Sequence, residues 1–204
     1  MNVFAGVRGT NTRQRLLAAA RELIEAGGYS AASVLAIAER AGVASGTVYR
    51  HFPSKAELFL EVFRNVCEGE ERAMLAAADE VPSAAGAVGR VEAVLATFAT
   101  RALRNPRLAW TLLAEPVDEL VDAERLAYRR RYADLVAREL GTAIAQGEIP
   151  DQEVAFTSAA LVGGCGEALA GPLSPLAGAS GPRADEVVAS IRMFVRRAVG
   201  ADSR

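Results

Sequence analysis

Helix breakers recur so closely in the first quarter of the chain that only short helices fit between them. Gly27-Gly28, Gly42 and Pro53 interrupt the first 55 residues, and Ser33, Ser45 and Ser54 stand where each next helix would open. Glycine ends a helix by accepting a positive φ, and serine opens one by accepting a hydrogen bond from an otherwise orphaned N–H. Between the breakers the apolar residues fall at helical spacing: Leu16, Leu17, Ala20, Leu23 and Ile24 in the first segment, 13–26. Thr12 precedes that segment as a partial cap, with Arg15 where a capping box carries Glu. The second segment is 34–41 and the third 46–52. The fourth opens at Lys55 behind Ser54, with Glu57 at its third position, and runs to about Asp79.

The remainder continues in helices. Of 204 residues 42 are Ala, the strongest helix former, and the β-branched and aromatic residues are too scattered for a large sheet. Helices are predicted at about 87–104, 106–114, 119–146, 151–170 and 184–199. They are separated by Asn105-Pro106, Pro116, the 147–150 turn and a Gly/Pro-rich loop over 171–182. The fold class is all-α. Two cysteines, Cys67 and Cys165, exclude a disulfide scaffold, and a hydrophobic fraction of 51% excludes a disordered chain. No stretch reaches the ~18 consecutive apolar residues of a membrane span, and residues 1–10 lack the apolar core of a signal peptide. A cytoplasmic protein with reduced thiols and no membrane partner is expected.

Charge divides along the chain. Residues 1–64 hold eight basic and five acidic side chains, whereas residues 65–204 hold 15 basic and 20 acidic ones. A basic N-terminal unit on an acidic helical body points to a polyanion that meets the first unit alone. Within that unit, Ile37, Ala38 and Ala41 share one face of the second helix, and Val48 and Phe52 share one face of the third. Small residues let the two helices cross closely, and Gly42 turns the chain sharply between them. This is the pattern of a helix-turn-helix, over about 33–52, whose second helix enters the DNA major groove. The groove side of that helix is Ser45, Gly46, Thr47 and Arg50, and Gly46 lets backbone approach the bases. Tyr49 and His51 are placed as phosphate contacts, and Lys55 and Ser33 stand at helix N-termini, where free N–H groups and the helix dipole attract an anion. For Tyr49 a core aromatic with a wet hydroxyl is the alternative, and for Arg50 a solvated side chain.

Enzyme chemistry has little to stand on. His51 is the only histidine, and no His, Cys or carboxylate cluster has metal-ligand spacing. There is no Gly-x-Ser-x-Gly elbow, no phosphate loop and no dinucleotide fingerprint. No catalytic residue, metal or cofactor is expected.

The stretch from Thr12 to Phe59 resembles the DNA-binding domain of the tetracycline-repressor (TetR) family. The resemblance rests on Thr12-Arg13, Leu17, Ala19-Ala20, Leu23, Gly28-Tyr29, Ile37-Ala38, Ala41-Gly42-Val43, Gly46-Thr47-Val48-Tyr49, His51-Phe52, Ser54-Lys55 and Leu58. It implies a homodimeric bacterial transcription regulator with a three-helix DNA-binding domain at 1–54 and a larger helical ligand-binding and dimerisation domain at 55–204. It implies a small-molecule effector that releases a repressor from a double-stranded operator; a two-fold dimer predicts a palindromic one, and the apolar and aromatic candidate pocket side chains point to a hydrophobic or amphipathic effector. It places Ala44 to Thr47 near bases, and Tyr49, His51 and Lys55 at phosphates. Two departures from the family pattern stand out: Leu35-Ala36 replaces a polar pair, and Ala44-Ser45 puts the hydroxyl one place later.

In the body, Phe98, Trp110, Tyr128 and Tyr132 are read either as pocket lining or as core, and Cys165 joins them as a ligand candidate or a buried packing residue. The Arg129-Arg130-Arg131 run is read as a solvated face partnered by Glu124, Asp134 and Glu139, with an anionic ligand as the alternative. Ala155, Ala159, Val162, Gly166 and Leu169 form a small-residue face, and Val187, Ile191, Phe194 and Val195 an apolar stripe. A two-fold four-helix interface from these two segments is expected, with packing inside one subunit as the alternative. Rival readings are an activator or ligand-blind regulator with the same DNA-binding unit, and a small-molecule-binding helical dimer without specific DNA binding.

Overall fold

The computed structural model describes residues 3–176 and 182–201, with backbone alone for 3–10. Among the described residues the order is α1 (Val3–Ala31), α2 (Val34–Ala41), α3 (Ser45–His51), α4 (Lys55–Asp79), a 3-10 turn (Ser83–Ala85), α5 (Gly86–Arg104), α6 (Pro106–Leu113), α7 (Glu119–Ala145), α8 (Val154–Leu173) and α9 (Ala184–Ala198). No strand occurs among them, so the architecture is all-α.

Local sequence explains most of the boundaries. The Ser33 hydroxyl accepts from Ala36 N at 3.1 Å and the Ser54 hydroxyl from Glu57 N at 3.1 Å, opening α2 and α4 at their expected residues. Asn105 caps α6, with Pro106 in its first turn, and Asp118 caps α7. Gly42 closes α2 in the left-handed region (φ 64°), its N–H donating to Glu39 O at 3.0 Å while Val43 N reaches back to Ala38 O at 3.0 Å.

Other boundaries depart from expectation. Helix α1 already runs through Thr12, so Thr12 stands inside a helix and cannot cap one. The break expected at Gly27-Gly28 is a kink at Gly28 alone (φ 78°), after which a turn of helix resumes to Ala31. Ser45 is not the cap of α3: Ala44 occupies that place in extended conformation with no side-chain bond, and Ser45 is the first helical residue. The loop expected over 171–182 begins later, because α8 continues through Gly171 and Pro172 to a buried Leu173; residues 177–181 of that loop lie outside the described residues. The N-terminus of α5 is capped from afar, the Glu148 carboxylate accepting from Ala87 N at 2.8 Å and Val88 N at 2.9 Å.

The N-terminal helices close on Leu16, Ala20, Ile24, Ile37, Ala38, Ala41, Val48, Phe52, Leu58 and Phe59, all buried. Helix α4 carries this cluster onward through Val62, Phe63 and Val66 into the body. There α5 packs against α4, α7 and α9, and α7 against α8.

Candidate nucleic-acid interface and effector cavity

Helix α3 stands proud of the three-helix unit. Val48 is buried beneath it, while Ala44, Ser45, Gly46, Tyr49 and Arg50 are exposed and Thr47 and His51 half-buried. Tyr49 is 57% exposed, which removes the core-aromatic alternative. Arg50 Nη2 donates to Thr47 Oγ1 at 2.9 Å, so the two polar side chains on this face hold each other in place. A Cβ placed on Gly46 would meet nothing within 4 Å. No packing within the chain therefore requires a glycine there, although glycine costs about 0.5–1 kcal/mol inside a helix relative to alanine.

Around α3, Ser33 is exposed at the start of α2. The half-buried Lys55 ammonium folds back against α1, donating to Tyr29 O at 2.8 Å and lying 3.7 Å from the centre of the Tyr29 ring. That burial lowers the Lys55 pKa, while Glu115 pulls it the other way. Leu35, the first departure from the family pattern, is 61% exposed on the same unit.

The body encloses a cavity of about 230 Å3 between α4, α5, α6, α7 and α8. Its inner wall is apolar and aromatic: Phe63, Phe98, Leu108, Leu112, Tyr128 and Tyr132. The Phe98 and Tyr132 rings lie 5.8 Å apart, and Tyr132 donates its hydroxyl to Cys67 O at 3.2 Å. Of the five side chains expected at a ligand, Phe98, Tyr128 and Tyr132 line this cavity. Trp110 and Cys165 do not. Trp110 faces away from the wall that Leu108, Ala109 and Leu112 of the same helix provide, and Cys165 is buried in packing. Burial pushes the Cys165 thiol up to about 11 and the Cys67 thiol to about 12, so both stay protonated near neutrality and neither is a poised redox sensor.

Of the polar lining, the sequence points only to Arg129, as part of the run for which an anionic ligand is the alternative. Arg21, Glu70, Arg101, Arg104, Asn105, Arg125 and Arg129 all reach the cavity. Arg101 meets Glu70 with both Nε and Nη2, at 2.5 and 3.0 Å. Arg125 is nearly buried and donates to the carbonyls of Thr111, Leu112 and Glu115 at 2.5–2.8 Å. The arginine run at 129–131 divides: Arg129 lines the cavity, Arg130 is exposed, and Arg131 pairs with Glu71 across to α4. Two of the expected partners lie elsewhere, Glu124 bonding Arg64 at 2.9 Å and Glu139 bonding Arg90 at 2.5 Å. Only the fold could have revealed that these arginines come together, since they lie on three helices.

The expected dimer face also divides. Ala155, Ala159 and Phe194 are exposed, but Leu169, Val187, Ile191 and Val195 are buried inside this chain. The α9 stripe packs on α5 of its own subunit, where Glu92 holds Arg196 at 2.8 Å. Val162 and Gly166 face the cavity. Phe156 of α8 is 73% exposed, and Met193 and Phe194 of α9 are exposed too, Phe194 lying near Gly164 further along α8. Over 18 residues α8 reaches a mean hydropathy of 1.3, enough by length and composition for a membrane span, with 22% of that window buried. Among the described residues no group of three His, Cys, Asp or Glu side chains is placed to hold a metal.

A helix-turn-helix is a DNA-binding module, here carried on a helical body with a cavity. The family described as bacterial regulatory proteins, tetR family, matches over residues 16–62. The transcriptional repressor KstR of Mycobacterium tuberculosis is 30% identical over 138 residues, covering 67% of this chain and 60% of KstR. Matches to KstR of Mycolicibacterium smegmatis and Rhodococcus jostii span 33% and 23% of those proteins. In fold, the chain is similar to the regulator FadR of Bacillus subtilis, solved in complex with stearoyl-CoA (TM-score 0.72, 20% identity, 92% of this chain and 98% of that one). It is similar too to a regulator of Saccharomonospora viridis solved with choline (TM-score 0.75, 21% identity, 92% and 96%). The N-terminal unit, through residues 16–62, belongs to the tetR family of bacterial regulatory proteins, and the chain spans 60% or less of the KstR relatives it matches.

Proposed function

We propose that this chain is a homodimeric, cytoplasmic transcription repressor that binds a palindromic operator through α3 and is released by a small molecule held in the body's cavity. The observation that carries the reading is the exposed face of α3. Gly46 leaves open space, Thr47 and Arg50 present linked polar groups, and Tyr49 stands out into solvent. Short side chains and bare backbone let a helix sit deep in the major groove, and the hydroxyl, imidazole and guanidinium groups around it suit phosphates. Residues 1–54 then act as the reading unit and 55–204 as the sensing and dimerising unit, with α4 the strut between them.

The route between the two units is short. Helix α6 supplies cavity wall through Leu108, Ala109, Leu112 and Leu113. The same helix and the residues after it grip the kink in α1: Arg107 Nη2 donates to Gly27 O at 2.9 Å, and the Glu115 carboxylate accepts from Tyr29 N at 3.3 Å. Tyr29 O in turn accepts from Lys55 at the start of α4. A ligand that moves α6 thereby shifts α1 and α4 together. In a two-fold dimer, operator binding favours recognition helices about 34–36 Å apart. A ligand that favours another spacing must weaken the operator, and the operator must weaken the ligand equally.

Support for a small-molecule site comes from the fold, which holds stearoyl-CoA in one similar protein and choline in another. Since those two ligands carry opposite charges at their heads, the lining side chains decide what this cavity takes. The test of the whole reading is capture of sheared genomic DNA by the purified protein, followed by sequencing. A few enriched fragments sharing a palindrome are expected. No enrichment at low salt, from protein unfolded and refolded free of ligand, would overturn it.

A further inference from the structure

The cavity's charge is lopsided in a way the rest of the body is not. Residues 65–204 are net acidic, yet the charged side chains lining the cavity are five arginines and one glutamate. Most of these have protein partners. Glu70 is taken up by Arg101, Arg125 is saturated by three backbone carbonyls and Asp122, and Arg21 pairs with Glu25 at 2.8 Å. Two remain. The side chains of Arg104, at the end of α5, and Arg129, on α7, make no ion pair or hydrogen bond among the described residues, and both are exposed, so they sit at the mouth. Beside Arg104, Asn105 also lines the cavity. Its Oδ1 accepts from Leu108 N at 3.4 Å, which leaves its Nδ2 as a further donor. Behind this rim the wall is apolar and aromatic.

From this arrangement we infer that the effector is an anionic amphiphile: an apolar chain seated against Phe98, Leu108 and Tyr132, with a carboxylate or phosphate head on Arg104 and Arg129. The inference rests on the reading of the cavity as the effector site. Guanidinium groups bind carboxylate and phosphate with two parallel hydrogen bonds, which gives geometry as well as charge. An excess of one charge around a low-dielectric mouth also raises the local concentration of its counter-ion. A cationic head would meet two uncompensated arginines and no free carboxylate on the lining. A neutral head would leave both guanidiniums to water and add nothing to the burial of the chain.

Isothermal titration of the full-length protein with decanoate, 1-decanol, decyltrimethylammonium and decanoyl-coenzyme A tests this. Decanoate should bind at least tenfold tighter than decanol, and the cation should not bind. The double variant Arg104→Ala/Arg129→Ala, whose exposed positions spare the fold, should bring decanoate down to the level of decanol and leave decanol unchanged. Both anionic heads satisfy the inference: decanoyl-coenzyme A binding tighter than decanoate identifies a thioester source, and the reverse order a free acid. Equal binding of decanol and decanoate, or a double variant that keeps the preference, overturns the anionic head while the cavity reading stands. If none of the four probes binds, the cavity reading itself falls and the inference with it.

Discussion

Gly46 separates a structural role from a recognition role in a single substitution. It lies within a seven-residue helix, where glycine is unfavourable, and a methyl group in its place would touch nothing in the chain. Gly46→Ala should therefore raise stability by about 0.5–1 kcal/mol in urea denaturation. It should also weaken operator binding at least tenfold in fluorescence anisotropy, because the methyl group meets the bases. An unchanged affinity would mean that α3 does not approach DNA at that point. Gly28 is the opposite case. Its φ is 78°, and a Cβ there would lie 2.7 Å from Cζ and 2.8 Å from Nε of Arg107. The sequence marks Gly28 as a break and Gly46 as an approach to bases; the structure adds that Gly28 is packed under Arg107 while Gly46 has no neighbour within the chain. That packing comes from Arg107, on a helix far along the chain, so periodicity could not supply it.

At the scale of the helix, two links deserve direct tests. Arg107→Ala removes a charge-assisted bond to the Gly27 carbonyl, which should cost about 1.5–3 kcal/mol of stability. Hydrogen exchange should then speed up at the amides of residues 28–32 and stay unchanged in α8. Equal acceleration everywhere would show that α6 does not hold the kink specifically. Arg64 and Glu124 join α4 to α7, and that bond holds the Glu124 carboxyl below its ordinary value, with burial opposing. A depressed carboxyl lends stability that is complete above the ordinary carboxylate range and disappears as pH falls through the lower folded value. Glu124→Gln should flatten the melting temperature's decline over that acid range relative to the unaltered protein; identical pH profiles would remove the link from the stability account. Helix ends were legible where the cap is local, as at Ser33 and Ser54. They were not where the cap is distant, as Glu148 is for α5, nor where backbone turn geometry decides, as at Ala44. Phe98, Tyr128 and Tyr132 could be picked out as aromatics on helical faces, but Trp110 could not be told from them. Which face of α6 looks inward depends on its partners.

At the scale of the molecule, burial redirects the dimer hypothesis. Ile191 is 3% exposed within its own subunit, so Ile191→Glu buries a charge and should unfold the chain rather than give a folded monomer. Phe156 stands on the open apolar face of α8, near Ala155 and Ala159. Phe156→Glu should leave the helical circular dichroism intact and halve the mass seen by sedimentation velocity. A Phe156→Glu protein that still sediments as a dimer would move the interface off α8. Of the small-residue face expected on α8, Ala155 and Ala159 are exposed, whereas Val162 and Gly166 line the cavity and Leu169 is buried. The stripe on α9 was not separable from an interface, because an apolar stripe looks the same whether it meets α5 of one subunit or a helix of another.

The grip on α1 has a consequence for how such proteins diversify. Arg107 holds a carbonyl of Gly27, Glu115 an amide of Tyr29, and Lys55 a carbonyl of Tyr29. All three junction bonds seize main chain, which every sequence possesses; beyond that, the segment must bend at Gly28 and offer the Tyr29 ring, which lies under the Lys55 ammonium and against Phe59. Reading heads that keep the buried face of α2 and its Arg40–Glu22 link to α1 can then be exchanged on this mount. A chimaera that keeps residues 27–29 and 55 onward while exchanging α2 and α3 should transmit its new operator's signal through the old sensor.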